Sequence, residues 1–201
     1  MGKGGMQMCS TRLKIRKTAL VAFANKGYKG TTIKEISKKV GITPPSVYKH
    51  YSSKDKLFLD VMDYCVGEYE EYFCKFFDTL RSNCKKEVLF LLFKEEIKFF
   101  INNQNISRFI SNNMRISTKG YNELIHKKLE KTWKNRRQLC ADIYLSLSQN
   151  SKLERITEID FFNAYERLLF GVIAQISDFE FNYDEEYLNK AWMLFWNGIF
   201  K

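Results

Sequence analysis

The chain contains few residues of the kinds that break helices, bind metals or activate nucleophiles. Its 201 residues include two prolines, ten glycines and two histidines, which leaves little for long linkers or for histidine-based catalytic and metal sites. No apolar run approaches the ~18 residues of a transmembrane helix, and the longest, Val88 to Phe93, suits a buried helix. The first residues, MGKGGMQM, lack the apolar region of a signal peptide. We therefore expect a cytoplasmic protein that makes no contact with a membrane.

The cysteines are too scattered to build a metal site or a disulfide framework. None of the five forms a CxxC pair, and the two histidines, His50 and His126, stand alone, whereas zinc sites need several such ligands at short spacing. We predict no metal and no cofactor, and we interpret the thiols as buried or incidental in a reducing compartment. A redox-sensing cysteine is the open alternative. The cysteines are Cys9, Cys65, Cys74, Cys84 and Cys140.

Positive charge is concentrated at the start of the chain. The net charge is +10, and residues 1–56 hold 13 Lys and Arg against two acids, a balance of +11. Residues 57–201 hold 20 against 21, a balance of −1. A solvated lysine-rich surface would give the same count, but a local excess of this kind is also what binding to nucleic-acid phosphates requires.

Residues 28–58 show the pattern of two short helices joined by a tight turn. Thr32 with Glu35 has the spacing of a capping box, in which the hydroxyl accepts the N3 amide and the carboxylate returns to the Thr32 amide. Gly41 favours the left-handed conformation that ends a helix. Thr43 can cap the next helix, with Pro44 at its first position. We therefore predict a helix-turn-helix, whose second helix fits the major groove of DNA.

One helix is predicted before this motif and another after it. Residues 11–26 have an apolar face, and Gly27 stops the helix. Ser52 with Asp55 repeats the capping-box spacing and predicts a helix that begins at Lys54. Three helices would then share one small core. The predicted contacts in this core are those of Phe23 with Ile36, Val40 and Val47.

These residues resemble the N-terminal DNA-binding domain of the TetR/AcrR family of bacterial transcriptional regulators. The resemblance covers residues 11–60 and holds in order and spacing. One departure is the pair Pro44-Pro45, where the family often has Lys-Gly or a similar pair. The positions that carry the resemblance are Gly27-Tyr28, Thr31-Thr32, Ile36, Val40-Gly41-Ile42, Val47-Tyr48, His50-Tyr51, Ser53-Lys54 and Leu57.

The resemblance implies a DNA-binding role for residues of the motif. Thr32 would contact a phosphate at a helix N-terminus, and Lys49 would contact either a base or the backbone. Ser46 would be a weakly specific reader because a hydroxyl both donates and accepts, and the prolines would offer apolar contact, for instance to a thymine methyl. An alternative for His50 is an exposed side chain without a role. The residues expected at the groove floor are Thr43, Pro44, Pro45 and Ser46, and those expected on the DNA backbone are Tyr48, His50 and Lys54.

The rest of the chain has helical periodicity and no β-strand pattern, so we predict an all-α protein. An N-terminal three-helix helix-turn-helix domain, residues 1–56 with a flexible arm at 1–10, would be joined by the long helix from Lys54 to a helical ligand-binding and dimerisation domain, residues 57–201. Thr157 with Asp160 is a further capping box. The predicted helices span residues 54–78, 85–103, 106–116 and 121–148, a stretch after Thr157, and residues 184–200.

Aromatic residues are abundant, with 17 Phe, 11 Tyr and three Trp. Most such residues are core residues, but the family's architecture implies an aromatic-walled cavity for a small apolar or amphipathic effector. It also implies that the last two helices pair with their copies in a homodimer, and a two-fold operator favours the same symmetry. The candidates for the effector cavity are Phe99, Phe100, Phe109, Met114, Trp133, Tyr144, Phe162 and Tyr165.

The function predicted is that of a DNA-binding transcriptional regulator, a ligand-responsive repressor that binds a near-palindromic operator as a homodimer. The alternative is a DNA-binding protein without a small effector, switched by a protein partner or acting architecturally. A recombinase or nuclease would need clustered acids or an activated nucleophile. The adjacent pairs Glu70-Glu71, Glu95-Glu96 and Glu185-Glu186 instead direct their members to different helix faces, so we predict no enzymatic activity.

Overall fold

A computed structural model of the chain describes residues 3–80, 86–114, 121–148, 156–178 and 184–200. These residues form α-helices and no β-strand, which confirms the prediction of an all-α chain. No helix in these ranges is long and apolar enough to span a membrane. The helices are α1 (Lys3–Gly30), α2 (Ile33–Val40), α3 (Pro44–Tyr48), α4 (Lys54–Leu80), α5 (Lys86–Asn102), α6 (Gln104–Met114), α7 (Tyr121–Ser148), α8 (Glu158–Asp178) and α9 (Glu185–Phe200).

The chain forms two compact units. The first is Met1–Glu68 with Asn105–Ile125, and the second is Tyr69–Gln104 with His126–Lys201. The first unit therefore contains α1 to α3, the beginning of α4 and nearly all of α6. The second contains the rest of α4, α5, most of α7, α8 and α9. The division falls inside α4, between Glu68 and Tyr69, so one continuous helix belongs to both units.

Helix α1 departs from the prediction at its start and agrees with it at its end. It begins at Lys3 rather than at Thr11, so part of the segment expected as a flexible arm is helical. Gly4 and Gly5 each weaken a helix by about 1 kcal/mol relative to Ala, which is why the sequence favoured an arm. Gly27 has φ 66° and ψ 177°, and this conformation kinks the helix where the sequence predicted its end.

The later helices lie close to their predicted ranges because local capping signals mark their ends. The Thr157 amide donates to Asp160 Oδ2 at 2.9 Å, and the Asp160 amide donates to Thr157 Oγ1 at 3.2 Å, which confirms the predicted capping box. The amide of Tyr187 donates to Asp184 Oδ1 at 2.8 Å at the start of α9. The side-chain amide of Asn103 donates to the Phe99 carbonyl at 2.9 Å just after α5.

Aromatic packing holds the second unit together. Helix α8 packs against both α5 and α9. The rings of Phe90 and Trp192 lie 5.1 Å apart, and those of Phe93 and Trp192 lie 5.7 Å apart, so α5 also meets α9. Phe161 is fully buried and its ring lies 6.0 Å from that of Phe195. Burial of large rings of this kind contributes most of the driving force in a helical core.

Candidate nucleic-acid interface and ligand pocket

Thr32 caps helix α2, and its exposed hydroxyl accepts a hydrogen bond from the Glu35 amide at 3.2 Å. This confirms the cap. The Glu35 carboxylate was predicted to return to the Thr32 amide, but it lies 2.8 Å from Lys26 Nζ and 3.6 Å from Lys39 Nζ. The hydrogen bond from Lys26 lowers the pKa of Glu35. Two lysine charges attract this carboxylate more strongly than one amide does, so α2 is tied to the end of α1.

The turn after α2 has the geometry that the sequence predicted. Gly41 is left-handed, with φ 80° and ψ 32°. Its amide donates to the Ser37 carbonyl at 3.0 Å, and the Ile42 amide donates to the same carbonyl at 3.0 Å. These bonds satisfy carbonyls at the helix C-terminus and reverse the chain into the next helix. Any residue with a Cβ would be strained at this φ.

Helix α3 is short, spanning Pro44–Tyr48. Thr43 is extended, with φ −84° and ψ 154°, and Pro44 occupies the first turn as predicted. The Thr43 hydroxyl was expected to cap a backbone amide, but it lies 2.9 Å from Ser46 Oγ instead, so that expectation was wrong. The two hydroxyls satisfy each other on the exposed side of the helix. The Ser46 amide is bonded to the Thr43 carbonyl at 2.9 Å.

Val47 is the buried residue that anchors α3, and the other residues of this helix are exposed or half-buried. Val47 is 0% exposed, whereas the neighbouring Tyr48 is 51% exposed. The predicted base-reading and backbone-contacting residues therefore lie on the outer side of the motif. Thr43, Pro45, Tyr48 and Lys49 are exposed, and Pro44, Ser46 and His50 are half-buried.

Helix α4 begins at Lys54 as predicted, but its cap is Ser53 and not Ser52. The Lys56 amide donates to Ser53 Oγ at 3.1 Å. Both serines precede the helix. The spacing from Ser52 to Asp55 matches a capping box, but the predicted cap at Ser52 was wrong. The Asp55 carboxylate is used otherwise, since it accepts a hydrogen bond from the Tyr28 hydroxyl.

Lys54 is held against an aromatic ring. Its Nζ lies 4.2 Å from the centre of the Tyr28 ring, a cation–π contact. Burial lowers the pKa of Lys54, and the charge of Asp55 opposes this effect. The Tyr28 ring meets Phe58 edge-on at 5.1 Å. Packing against the core of the first unit thus restricts the position of this ammonium group.

A cluster around Asp60 joins α1 to α4, and no pattern in the sequence indicated it. Arg12 Nη2 lies 3.0 Å from Asp60 Oδ1, and Arg16 Nε lies 2.5 Å from Oδ2. The Tyr51 hydroxyl donates to Oδ2 at 2.9 Å. Burial would raise the pKa of Asp60, but the hydrogen bonds from Arg16 and Tyr51 outweigh it and lower the pKa. Arg12 and Arg16 were counted in the excess positive charge of residues 1–56, and both are paired with Asp60 in this cluster.

Helix α6 also belongs to the first unit. Phe109 is fully buried, and its ring lies 5.3 Å from Phe58 and 6.4 Å from Phe23. Asn112 Nδ2 donates to the Ala24 carbonyl at 2.6 Å. Because Gly27 breaks the helical hydrogen bonding, carbonyls near the end of α1 need partners from elsewhere. Sequence reasoning gave no signal for this contact, which joins residues 88 positions apart.

The exposed charge of residues 10–56 is positive. Of the two acids before residue 57, Glu35 is paired with lysines and Asp55 is hydrogen-bonded to Tyr28. Lys34 and Lys38 lie one helical turn apart on α2 and are both exposed. Such a surface attracts polyanions. Apart from Lys26 and Lys39, which pair with Glu35, the exposed lysines around the motif are Lys14, Lys17, Lys29, Lys34, Lys38, Lys49 and Lys56.

A pocket lies between α7 and α8 in the second unit, with a volume of about 460 Å³. Trp133 and Arg137 are four residues apart on α7, as are Phe162 and Glu166 on α8, so each pair shares a helix face. The Arg137 guanidinium lies 6.0 Å from the centre of the Phe162 ring. The pocket thus combines two aromatic rings with charges of both signs. Its lining residues are Glu130, Trp133, Lys134, Arg137, Phe162 and Glu166.

The structure places the other described candidate cavity residues away from this lining. Phe99 and Phe100 are buried against Tyr69, at ring distances of 5.4 Å and 5.8 Å. Phe109 lies in the first unit, and the side chain of Met114 lies outside the described residues. The Tyr144 hydroxyl donates to the Ile156 carbonyl at 2.7 Å, and the Tyr165 hydroxyl donates to Glu96 Oε2 at 3.0 Å. The charged residues of the pocket were not among the predicted cavity residues, although their four-residue spacing from Trp133 and Phe162 places them on the same helix faces.

Two cysteines in the described part of the chain are buried free thiols. Cys65 and Cys140 are both 0% exposed. Burial raises the pKa of Cys65 to about 12, and it also raises the pKa of Cys140. A thiol with a raised pKa and no solvent access reacts slowly with oxidants. Among the residues that the structure describes, no three metal-ligating side chains form a cluster.

Comparison with known proteins identifies the first unit. The sequence model described as "Bacterial regulatory proteins, tetR family" matches residues 15–61. The uncharacterized HTH-type transcriptional regulator YerO of Bacillus subtilis is 36% identical over 76 residues, 38% of this chain and 26% of that protein. The biofilm operon icaADBC HTH-type negative transcriptional regulator IcaR of Staphylococcus epidermidis is 36% identical over 59 residues, 29% of this chain and 32% of that protein. The chain therefore spans less than two thirds of either relative.

A solved structure extends the likeness in fold to both units. The crystal structure of AibR in complex with isovaleryl coenzyme A and operator DNA superposes with a TM-score of 0.69. It covers 92% of this chain and 98% of that chain, at 18% identity. The matched motif, the regulator relatives and the all-helical fold agree with the resemblance found in the sequence. Residues 15–61 thus match the tetR family of bacterial regulatory proteins, and the fold of the chain is similar to that of AibR.

Proposed function

We propose that the protein is a repressor that binds a near-palindromic DNA operator and releases it when a small effector binds. DNA binding is supported by the way α3 is held: Val47 is fully buried, while the residues in and beside the helix that are exposed to solvent are Thr43, Pro45, Tyr48 and Lys49. A short helix held by one internal side chain can enter the major groove without disturbing the core. The exposed lysines around it supply contacts to phosphates.

The roles proposed for single residues follow from their positions. Bases are contacted by Ser46, Pro44 and Pro45. The DNA backbone is contacted by Thr32, Tyr48, His50 and Lys54. Lys49 contacts either a base or the backbone. Residues 1–56 bind DNA, and residues 57–201 bind the effector and form the dimer. The protein acts in the cytoplasm, where operator and effector are both present.

A homodimer through α8 and α9 is part of the proposal. Leu194 is 71% exposed and Met193 is 52% exposed on α9, and Ile159 is 52% exposed on α8. Large apolar side chains at such exposure favour burial against another surface. A second copy in two-fold symmetry would cover them and would place two α3 helices against the two halves of a palindromic site.

The effector proposed is an amphipathic molecule with an anionic head group. Trp133 and Phe162 offer aromatic surface, while Lys134 and Arg137 offer positive charge in the same pocket. The similar fold of AibR was crystallised with isovaleryl coenzyme A, which has an apolar acyl group and a phosphorylated carrier. An effector of this chemical class would place its apolar part against the rings and its anionic part near the cations.

DNA binding is tested by fluorescence anisotropy with labelled DNA from upstream of the protein's own reading frame. Scrambled DNA of the same length is the control, and both are titrated at two salt concentrations. We expect selective binding at one dimer per site, with a Kd for scrambled DNA at least about a thousandfold weaker. Equal binding to both DNAs with a steep salt dependence would contradict the proposal and favour an architectural role.

Effector binding is tested by isothermal titration calorimetry with isovaleryl coenzyme A as the probe. Lys134→Ala should weaken binding about tenfold, because a charge-assisted contact is lost. Lys127→Ala is the matched control, since Lys127 is an exposed lysine on α7 that does not line the pocket. Failure of the wild-type protein to bind the probe, or equal losses in both variants, would contradict the proposed effector class.

A further inference from the structure

The first turn of α3 has no backbone amide that is available to DNA. The first four amides of a helix normally lack a partner inside the helix, and such amides bind phosphates. Pro44 and Pro45 have no amide hydrogen. The amides of Ser46 and Val47 both donate to the Thr43 carbonyl, at 2.9 Å and 3.3 Å. The backbone of this turn therefore offers DNA no hydrogen-bond donor.

The side chains of residues 43–50 include few groups that hydrogen-bond to base edges. Guanine and adenine are read by Arg, Lys, Asn and Gln, and cytosine is read by Asp and Glu. Of these residue types, residues 43–50 contain only Lys49. The hydroxyls of Thr43 and Ser46 lie 2.9 Å apart and satisfy each other. This pair has to open before either hydroxyl can bond to a base.

Apolar surface is what the beginning of α3 offers to DNA instead. Pro45 is exposed and Pro44 is half-buried, whereas Val47 is buried in the core. The ring of a proline is fixed in conformation, so ordering it against a base costs no side-chain entropy. The residues at the beginning of a recognition helix are those that contact base edges. Pro45 is therefore the residue of α3 best suited to an apolar contact with a base.

The base pairs of DNA present one methyl group in the major groove, the C5-methyl of thymine. We propose that Pro45 is a specificity-determining residue that packs against thymine methyl groups in each half of the operator. The inference rests on the proposed function, since it names the feature of the DNA that the same interface reads. The cytosine ring lacks this methyl group, and 5-methylcytosine has it. Binding then follows the methyl group rather than the hydrogen-bonding groups of the base pair.

The first test replaces thymine by deoxyuridine, which lacks only the methyl group. The DNA is that from upstream of the protein's own reading frame, substituted at one thymine at a time, and the full-length protein is titrated by fluorescence anisotropy. Burial of one methyl group changes an affinity about fourfold. We expect one or two sensitive thymines in each half-site, with a Kd about fourfold weaker for one substitution. Substitution in both half-sites should weaken the Kd about fifteenfold, because a dimer makes the contact twice.

Pro45→Ser tests whether this residue makes the contact. The variant removes the apolar ring and places a residue that is common in first helical turns. Its Kd should differ less than about twofold between the thymine DNA and the DNA substituted in both half-sites. The ratio of these two Kd values is the readout, because damage to the fold weakens binding to both DNAs and leaves the ratio unchanged. Pro45→Ala takes its place if circular dichroism shows that Pro45→Ser does not fold.

Lys49→Ala is the matched control. Lys49 follows α3 as its C-cap residue and is exposed. Loss of its charge should weaken binding to both DNAs and should keep the wild-type ratio between thymine and deoxyuridine. Loss of the ratio in this variant as well would mean that any change in α3 removes it, which would overturn the role of Pro45.

A second DNA separates the methyl group from the base pair. At each sensitive position the T·A pair is replaced by 5-methylcytosine paired with guanine, or by an unmodified C·G pair. The methylated pair keeps the methyl group and changes the hydrogen-bonding groups beside it. We expect wild-type protein to bind it at least about threefold more tightly than the unmodified pair. This difference should be absent in Pro45→Ser.

Each outcome supports or overturns the inference. Sensitivity to the methyl group that is lost in Pro45→Ser and kept in Lys49→Ala supports it. Selective binding that does not change with deoxyuridine, or a sensitivity that persists in Pro45→Ser, overturns it and leaves the proposed function intact. Equal binding of the methylated and unmodified C·G pairs also overturns it. Absence of selective DNA binding by the wild-type protein overturns the proposed function, and the inference with it, and is recognised before any modified DNA is tested.

Discussion

Arg16 Nε lies 2.5 Å from Asp60 Oδ2, a contact that fastens the first helix to the start of α4. Asp60 also accepts hydrogen bonds from Arg12 and from the Tyr51 hydroxyl. These donors lower the pKa of Asp60 against the opposing effect of burial. A carboxyl whose pKa is lowered in the folded state stabilises the fold above its unfolded pKa, and that contribution is lost as the pH falls through the folded pKa.

We therefore expect Asp60→Asn to lower the free energy of unfolding by about 1–3 kcal/mol at pH 7. The deficit relative to wild type should begin to shrink below about pH 4, where Asp60 of the unfolded chain becomes protonated, and should vanish as the pH falls through the lowered folded pKa. Urea denaturation at several pH values measures it. Glu186→Gln is the control, since its pair with Lys190 is exposed and should contribute little. A deficit that does not change with pH would contradict the assignment to charge.

Lys54→Ala should weaken binding to operator and scrambled DNA by similar factors. The predicted contact is with a phosphate, so the slope of log Kd against log salt should fall by about 1. Lys127→Ala is the control, because Lys127 is an exposed lysine of α7 that is not among the proposed phosphate contacts, and it should leave the slope unchanged. An unaltered slope for Lys54→Ala would mean that the ammonium stays on the Tyr28 ring in the complex.

Ser46→Ala should alter sequence preference at one operator position and leave the salt slope unchanged. The Ser46 hydroxyl is paired with Thr43 at 2.9 Å, and this pair must open or turn to contact a base edge. We expect a change in discrimination of about 1–3 kcal/mol at that position, measured by competition among operators with single substitutions. Uniform weakening over all sequences would assign Ser46 to the DNA backbone instead.

Leu194→Glu should convert the proposed dimer to a monomer. The side chain is 71% exposed in the single chain, and a charge buried in an apolar interface is unfavourable. Light scattering after size exclusion should then give the chain mass of 23.9 kDa. Leu145→Glu is the control, because Leu145 is 53% exposed on α7 and lies outside the proposed interface. Dimerisation of the Leu194 variant would exclude this surface.

Cys65 and Cys140 should not react with iodoacetamide in the folded protein at pH 8. Burial raises the pKa of Cys65 to about 12 and raises that of Cys140 as well. Labelling should appear only when the protein is unfolded in urea, as measured by mass spectrometry of the peptides. Rapid labelling of either thiol under native conditions would contradict this prediction and support the hypothesis that this cysteine senses oxidants.

Signals that act over a few residues could be predicted from the sequence. Gly41 ends α2, Pro44 opens α3, and Thr157 with Asp160 caps α8, because each depends on the geometry of one turn. The prediction that adjacent glutamates face different ways is also confirmed for Glu95 and Glu96. Glu95 contacts the exposed Tyr72, whereas Glu96 is completely buried.

Contacts between distant residues could not be predicted in this way. Arg16 and Asp60 are 44 positions apart, and Tyr165 and Glu96 are 69 apart, so no spacing rule connects them. A charged residue is normally expected to be exposed to solvent, so the burial of Arg136 could not be predicted from the sequence. The choice between Ser52 and Ser53 failed for a different reason: both fit a cap, and only the tertiary contact of Asp55 with Tyr28 decides between them.

The place of α6 in the first unit bears on how the protein is made. Asn112 and Phe109 are synthesised long after the helix-turn-helix has left the ribosome, and 88 positions separate Asn112 from its partner Ala24. Phe23 and Phe58, which pack against Phe109 in the finished protein, lack that cover in a nascent chain. Such transiently exposed apolar surface promotes aggregation and invites chaperones. The DNA-binding unit is therefore completed only after α6 has been synthesised, although its recognition motif leaves the ribosome before α6 does.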